Sequence, residues 1–523
     1  MVVKFVHCES EPFGPDDGSA APAVPQPLLE RHGARVLNPS EVTVAPKEPR
    51  PRSTAYRTGA MLFGWELLND DRKFRDIKAF VNQKMGVDLV MPRNHKETRH
   101  CGRGPRPVGL QPVEGRSEAL RVDAWQVLQA LRASEHRGDS MQISVEHLMF
   151  GTVDIGGTPW EASGAPTGTT YVRNGTTGRI PVTYFGPPPA RQELDRRPVI
   201  AVVDSGLGPN DWFGMPDRST PPPPGGFLAV YPQLQDAIRA QEQQNQNATP
   251  TQLIRTFWDA PVTDNPLVGT LDRDTGHGTF IAGIIRQVAP DANVLAIRVL
   301  HSDGVAYEGD VLLALWGLVD RVERAQHGHP EDMVDVVSLS LGYFDENPDA
   351  EGYTGMISQA IDALRRLGVL VVAAAGNDAT SRRFYPAALA ERPENGAGPQ
   401  VLSVGALNPS NTKALFSNEA PWVRCWATGA GIVSTFPKDV QGAISAGVSP
   451  RTDRGALDPD DFRAGFAVWD GTSFAAPLAA AEITTQMIKV AQDNPAIGLK
   501  VVDKDTATER VRAAIEQAQK ASG

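Results

Sequence analysis

The sequence predicts an α/β protein: a doubly wound parallel sheet preceded by a smaller α+β domain. Three observations lead there. Short, continuous apolar runs recur from residue 199 onward, as strands covered on both faces require. Helical stretches separate those runs, the alternation that builds a parallel sheet. Upstream of them, residues 60–150 carry their own tighter pattern of strands and helices.

Residues 9–55 are rich in Pro, Gly and charge and lack periodicity, so 1–57 is expected to be a disordered or extended arm. Met61–Trp65 predicts a strand. Asn69, Asp70 or Asp71 predicts the cap of a helix with Phe74, Ile77, Val81 and Met85 on one face, closed by Gly86. Val87–Met91 follows as a strand, then a basic Gly/Pro-rich loop, then a third strand at Ala119–Val122. Asp123 predicts the cap of a second helix burying Val127, Leu128 and Leu131, and Ile143–Met149 closes the series as a strand. The order makes 58–150 an α+β domain of ferredoxin-like topology. Residues 151–197, rich in Gly, Thr and Pro, read as an extended linker.

The second pattern begins at Val199–Val203 and continues with strands at Val294–Ile297, Val334–Val337, Gly368–Ala375 and Val401–Val404. Helices are expected at Gly278–Arg286, Gly309–Arg324, Met356–Leu367 and Ser473–Ala491. Residues 212–255 and 438–463 read as surface insertions, and 496–523 as a tail with a short helix, so the larger domain is placed at 198–495.

At 523 residues and 41% hydrophobic, the chain is long enough for two cores. A net charge of -11 argues against a general nucleic-acid binder. Three scattered cysteines, Cys8, Cys101 and Cys425, give no disulfide framework. The start of the chain has no apolar run of signal-peptide type, and no stretch is long and apolar enough for a membrane span, so a cytoplasmic protein is expected. His95, His100 and Cys101 match no zinc spacing and lie among basic residues, so no metal site is expected there.

In a parallel α/β sheet, active residues gather beyond the carboxyl ends of the strands. Asp204 sits at such an end, in Asp204-Ser-Gly206. His277 lies in the Gly-flanked turn Asp274-Thr-Gly-His-Gly-Thr279. Asn377 closes Ala373-Ala-Ala-Gly-Asn377. Ser473 opens the last long helix, in Gly471-Thr-Ser-Phe-Ala-Ala-Pro477. Each element alone is an ordinary turn or cap residue. Together they supply what a serine nucleophile needs: a base, a carboxylate to orient that base, and donors for an oxyanion.

These motifs resemble the subtilisin-type (S8) serine peptidases: Val202-Val-Asp-Ser-Gly206, His277-Gly-Thr279 and Gly471-Thr-Ser-Phe-Ala-Ala-Pro477, over residues 198–495. The order Asp, His, Ser is the one for which subtilisin is a standard example. The resemblance implies a serine endopeptidase working through an acyl-enzyme. In it Asp204 orients, His277 acts as base then acid, Ser473 attacks and Asn377 supports the oxyanion. It implies that Ser340, Leu341 and Gly342 and Ala374, Ala375 and Gly376 form two pocket walls, with Phe384 narrowing the far end. Gly304 and Val305, in the loop 302–306, are implied to pair with an extended protein or peptide substrate. Arg382 and Arg383 would favour an acidic residue before the cut.

The departures are Phe280, where many relatives carry a second His, and the missing insertion after the His277 helix that often holds calcium in secreted members. No cofactor is implied. Residues 58–150 resemble a pro-domain, which would make them an intramolecular chaperone or a zymogen's built-in inhibitor; the other reading is a recognition domain unrelated to inhibition. Two other readings keep the same motifs: a peptide cyclase or acyl transferase, and a catalytically silent binding module. Neither a nucleic acid nor a membrane is expected as partner.

Overall fold

The computed structural model describes residues 3–5, 24–91, 103–113, 122–151, 179–243, 254–261, 271–347, 355–392, 398–442, 457 and 460–522. The apolar runs form an eight-stranded sheet. Its order is Val3–Phe5, Cys425–Thr428, Leu402–Leu407, Leu370–Ala374, Val336–Leu339, Val199–Asp204, Asn293–Arg298 and Leu228–Val230. Every neighbour pair is parallel except the first, where Val3–Phe5 runs antiparallel to Cys425–Thr428.

Alternation along each strand decides which helices cover which face. Ala201, Val203, Val337, Leu339, Val371 and Ala373 point to one side, where the helices Pro232–Glu242, Glu308–Gln326 and Met356–Arg366 bury their apolar stripes. Ile200, Val202, Val336, Leu370 and Val372 point to the other, under His277–Val288, Thr472–Asp493 and Lys504–Ser522. The sheet is thus doubly wound, as the sequence predicts, and its strand ends bring Asp204, Ser340 and the segment 374–377 to one edge.

The upstream domain has the expected βαββαβ order. Ala55–Phe63, Val87–Val90, Arg106–Pro112 and Ile143–Gly151 alternate with the helices Asp71–Met85 and Ala124–Arg132. In the sheet, Ala55–Phe63 lies between Arg106–Pro112 and Ile143–Gly151, and Val87–Val90 takes the outer edge. Asp70 and Asp123 cap the helices through their carboxylates, and Gly86 adopts a left-handed φ of 68°.

Several expectations need correction. The third strand is Arg106–Pro112, inside the segment expected as a loop. Residues 119–121 of the expected strand lie outside the described residues, and Val122 belongs to no strand. Val108 and Leu110 do alternate inward there, but the flanking Pro and Gly hide the period.

Part of the expected arm is ordered. Gln26–Arg31 is a helix, and Ala34–Val36 pairs with Ala55–Phe63. Part of the expected linker is fixed too, since Ile180–Pro181 pairs with Phe466–Trp469. The insertion at 212–255 contributes an edge strand and a helix to the main domain. The tail is core: Ala507, Val511, Ala514 and Ala518 are buried, and the domain runs past residue 495.

Arg510 shows how the tail is held. Its guanidinium is fully buried and donates to the carbonyls of Ile497, Gly498 and Val501 at 3.0, 2.6 and 3.1 Å. Arg510→Ala leaves those acceptors unpaired and removes a cation 4.0 Å from Asp335. It should cost roughly 3 kcal/mol in thermal unfolding. The exposed neighbour change Arg512→Ala should cost less than about 0.5 kcal/mol. Equal effects would contradict this role.

Candidate active site

The sheet edge and two helix starts build the site. His277 is the first residue of its helix and follows Gly276, whose φ of 88° suits glycine. Asp259 accepts the Gly276 N–H at 2.6 Å, and the Ser205 hydroxyl accepts the Gly278 N–H at 3.0 Å. Gly278 is needed for close approach: a Cβ there would lie 2.2 Å from the carbonyl oxygen of Gly206. Side chains of Ser434 and Thr435 bond the carbonyls of Phe280 and Thr279, fastening the helix to the ribbon strand Ile432–Thr435.

This places His277 Nδ1 2.7 Å from Asp204 Oδ1, with both residues buried. Burial works against an imidazolium there. The Asp204 charge and hydrogen bond, with Asp274 and Asp259 further off, outweigh it and hold His277 above its usual pKa. His277 Nε2 is buried without a hydrogen-bond partner among the described residues. The ring stands edge-on to Trp469, centroids 5.6 Å apart, and 5.3 Å from Phe474, the residue after Ser473.

Ser473 lies in the first turn of Thr472–Asp493, at the positive end of the helix. Three bonds fix that turn. The Ser340 hydroxyl donates to the Ser473 carbonyl at 2.9 Å. The Asn377 amide oxygen accepts from the Thr472 N–H at 3.0 Å and the Thr472 hydroxyl at 2.8 Å. Those bonds orient the amide, so its nitrogen is the end turned away from Thr472.

The segments Ser340–Gly342 and 374–376 follow neighbouring strands at the same edge, with Phe384 packed between them. A Cβ on Gly342 would lie 2.4 Å from the Phe384 ring, and one on Gly376 3.3 Å from it. Arg382 and Arg383 are committed elsewhere: Arg382 to the carbonyls of Ser53 and Asp345, Arg383 to Glu391.

The groove beside the site holds a strand from the upstream domain. Ile143–Gly151 pairs antiparallel with Val305–Tyr307 on one side and with Leu341–Gly342 on the other. Gly151 N–H donates to the Gly304 carbonyl at 2.8 Å.

Sequence reasoning misses Thr472, Asp259 and Arg179. Arg179 comes from the Gly/Thr-rich stretch, and its buried guanidinium holds the turn before His277 through the carbonyls of Asp272, Arg273 and Thr275 at 2.7–2.9 Å. No pattern around it marks that role. Phe280, by contrast, is plain core, packed 4.5 Å from Phe474 between ring centroids. Among the described residues no His, Cys, Asp or Glu group could hold a metal, and no helix is long and apolar enough to cross a membrane. His95, His100 and Cys101 lie outside the described residues.

Fold and site together define a class: an α/β protein with Asp, His and Ser gathered at the strand ends of a parallel sheet. A profile of the subtilase family, peptidase S8, matches residues 195–521, and the chain belongs to that family. It is 28% identical over 200 residues to Subtilisin-like protease 12 of Trichophyton verrucosum (strain HKI 0517), covering 36% of this chain and 43% of that one. It is 32% identical over 170 residues to the Thermophilic serine proteinase of Bacillus sp. (strain AK1), covering 31% and 36%. It is 29% identical over 179 residues to Subtilisin BL of Lederbergia lenta, covering 32% and 56%. The matches thus span between about a third and just over half of these relatives' lengths. A solved structure titled Crystal Structure of a Lanthipeptide Protease aligns with a TM-score of 0.37 at 19% identity, over 61% of this chain and 87% of that one.

Titration of histidine-labelled protein by NMR tests the electrostatics. The His277 midpoint should lie above the ordinary value in the native chain and fall by about a unit or more in Asp204→Asn. An unchanged midpoint would mean that Asp204 does not hold the charge.

Proposed function

We propose that the chain is a serine endopeptidase whose N-terminal domain occupies its own substrate groove. The observation that carries the reading is the buried Asp204–His277 hydrogen bond, with the imidazole packed against the turn that bears Ser473. Ser473 attacks the scissile carbonyl as His277 takes its proton. Asp204 orients the base and stabilises the imidazolium. The Asn377 amide nitrogen and the Ser473 backbone N–H, at a helix N-terminus, stabilise the oxyanion. His277 then protonates the leaving amine, and water resolves the acyl-enzyme. The base must be neutral, so a raised His277 pKa means that activity falls as pH drops through that raised value.

Substrate binds as an added strand against 302–306 and 340–342, where main-chain bonds supply affinity whatever the sequence. Phe384 shortens the pocket between 340–342 and 374–376 and favours a small residue before the cut.

The inhibitory reading is supported by Ile143–Gly151 lying in that groove as a middle strand. The charges beneath it support the same reading. His147 is buried, 2.6 Å from Glu308 and 2.7 Å from Glu346, both in the larger domain. Burial opposes its charge, but the two carboxylates outweigh that and raise its pKa well above the usual value. A raised pKa in the docked state stabilises docking fully below the ordinary histidine pKa, and the contribution fades as pH rises through the raised value.

Mass spectrometry of the purified chain beside Ser473→Ala tests the activity. A hydrolytic cut within 151–197, gaining water and confined to the wild type, is expected; an intact chain of unreactive Ser473 would overturn it, and loss of water would mark a cyclase instead. His147→Ala strands two buried carboxylates, so fluorophosphonate labelling of Ser473 should quicken by about tenfold or more. No change would remove the inhibitory role of this contact.

A further inference from the structure

We propose that Asp274 makes the substrate position opposite Gly304 selective for glycine. The inference rests on the peptidase reading and adds a specificity-determining residue to it.

Asp274 belongs to the turn before His277, and its backbone is locked on both sides. Its N–H donates to the Ser302 carbonyl at 2.8 Å, and its carbonyl accepts the His277 N–H at 3.0 Å. The residue is 1% exposed, and neither carboxyl oxygen has a hydrogen-bond partner among the described residues. An orphaned buried carboxyl is costly, and its position is therefore informative.

It points at two glycines. A Cβ built on Gly151 would lie 2.4 Å from Asp274 Oδ2 and 3.2 Å from its Cγ. A Cβ built on Gly304 would lie 2.2 Å from the same oxygen. The carboxyl is wedged between the α-carbons of the groove edge and of the strand that fills the groove. Arg179 grips the carbonyls around it, so the turn cannot simply back away.

Every residue other than glycine brings a Cβ to this point, so the Asp274 carboxyl must turn aside and its Cγ, 3.2 Å from that Cβ, must give as well. Burial pushes the Asp274 carboxyl up to about 7, despite nearby His277 and Arg179. Near neutral pH the carboxyl is therefore partly neutral, which lowers the cost of burying it against glycine backbone. The occupant shown, Gly151, is the residue that such a contact selects.

The test uses the full chain. Gly151→Ala and Gly151→Arg are made in three backgrounds: native, Asp274→Gly and Asp274→Asn. The readout is the rate at which a fluorophosphonate labels Ser473, which rises when the strand leaves the groove. The ratio to the matching Gly151 chain is taken within each background.

In the native and Asp274→Asn backgrounds, Gly151→Ala should label about tenfold faster or more, the scale of an overpacked contact. In Asp274→Gly the ratio should fall to within about twofold. A ratio near one in the native background, or an undiminished ratio in Asp274→Gly, overturns the proposal. So does slower labelling of Gly151→Arg than of the Gly151 chain, which would make Asp274 a cation site. If no chain labels in any background, the peptidase reading itself falls, and this inference falls with it.

Discussion

One buried contact organises the molecule: the 2.7 Å hydrogen bond between Asp204 and His277. A carboxylate and an imidazole taken out of water are each unfavourable alone and tolerable only as a pair. Holding them together needs a strand end and a helix start at fixed distance, and the surrounding sequence supplies both. The Asp259 bond to Gly276, the Ser205 bond to Gly278 and the close pass of Gly278 over Gly206 serve that placement. The apolar rings of Trp469 and Phe474, backed by Phe280, then keep water from one side of the imidazole.

The same edge explains the upstream domain. The Gly304 carbonyl, Val305–Tyr307 and Leu341–Gly342 offer backbone groups for strand pairing beside a groove. Ile143–Gly151 satisfies them and carries His147 into a pair of buried carboxylates. Leu148 shares a core with Val305 and Tyr307, so the interface is apolar as well as hydrogen-bonded. Val3–Phe5 adds a second attachment at the far edge of the central sheet.

Much of this is legible in the sequence, because the signals are local. The apolar run before Asp204, the Gly-flanked His277 and the small residues after Ser473 each announce an element and its end. The capped helices at Asp71–Met85 and Ala124–Arg132 are equally plain. What escapes reading is long-range. Arg106–Pro112 is a strand because two neighbours pair with it, against its Pro and Gly content. Leu228–Val230 and Cys425–Thr428 are too short to show a period, and Arg179 acts through carbonyls that composition does not reveal. Lys504–Ser522 reads as a tail with a short helix until Arg510 and its buried alanines are seen packed.

The central claim is that Asp204, His277 and Ser473 act as one unit on a single oxygen. Prolonged incubation of the full chain with a fluorophosphonate, followed by peptide mapping, addresses it directly. The account predicts a single adduct on Ser473 that is lost in His277→Ala. An adduct on another serine, or one on Ser473 that forms equally without the His277 imidazole, would contradict it.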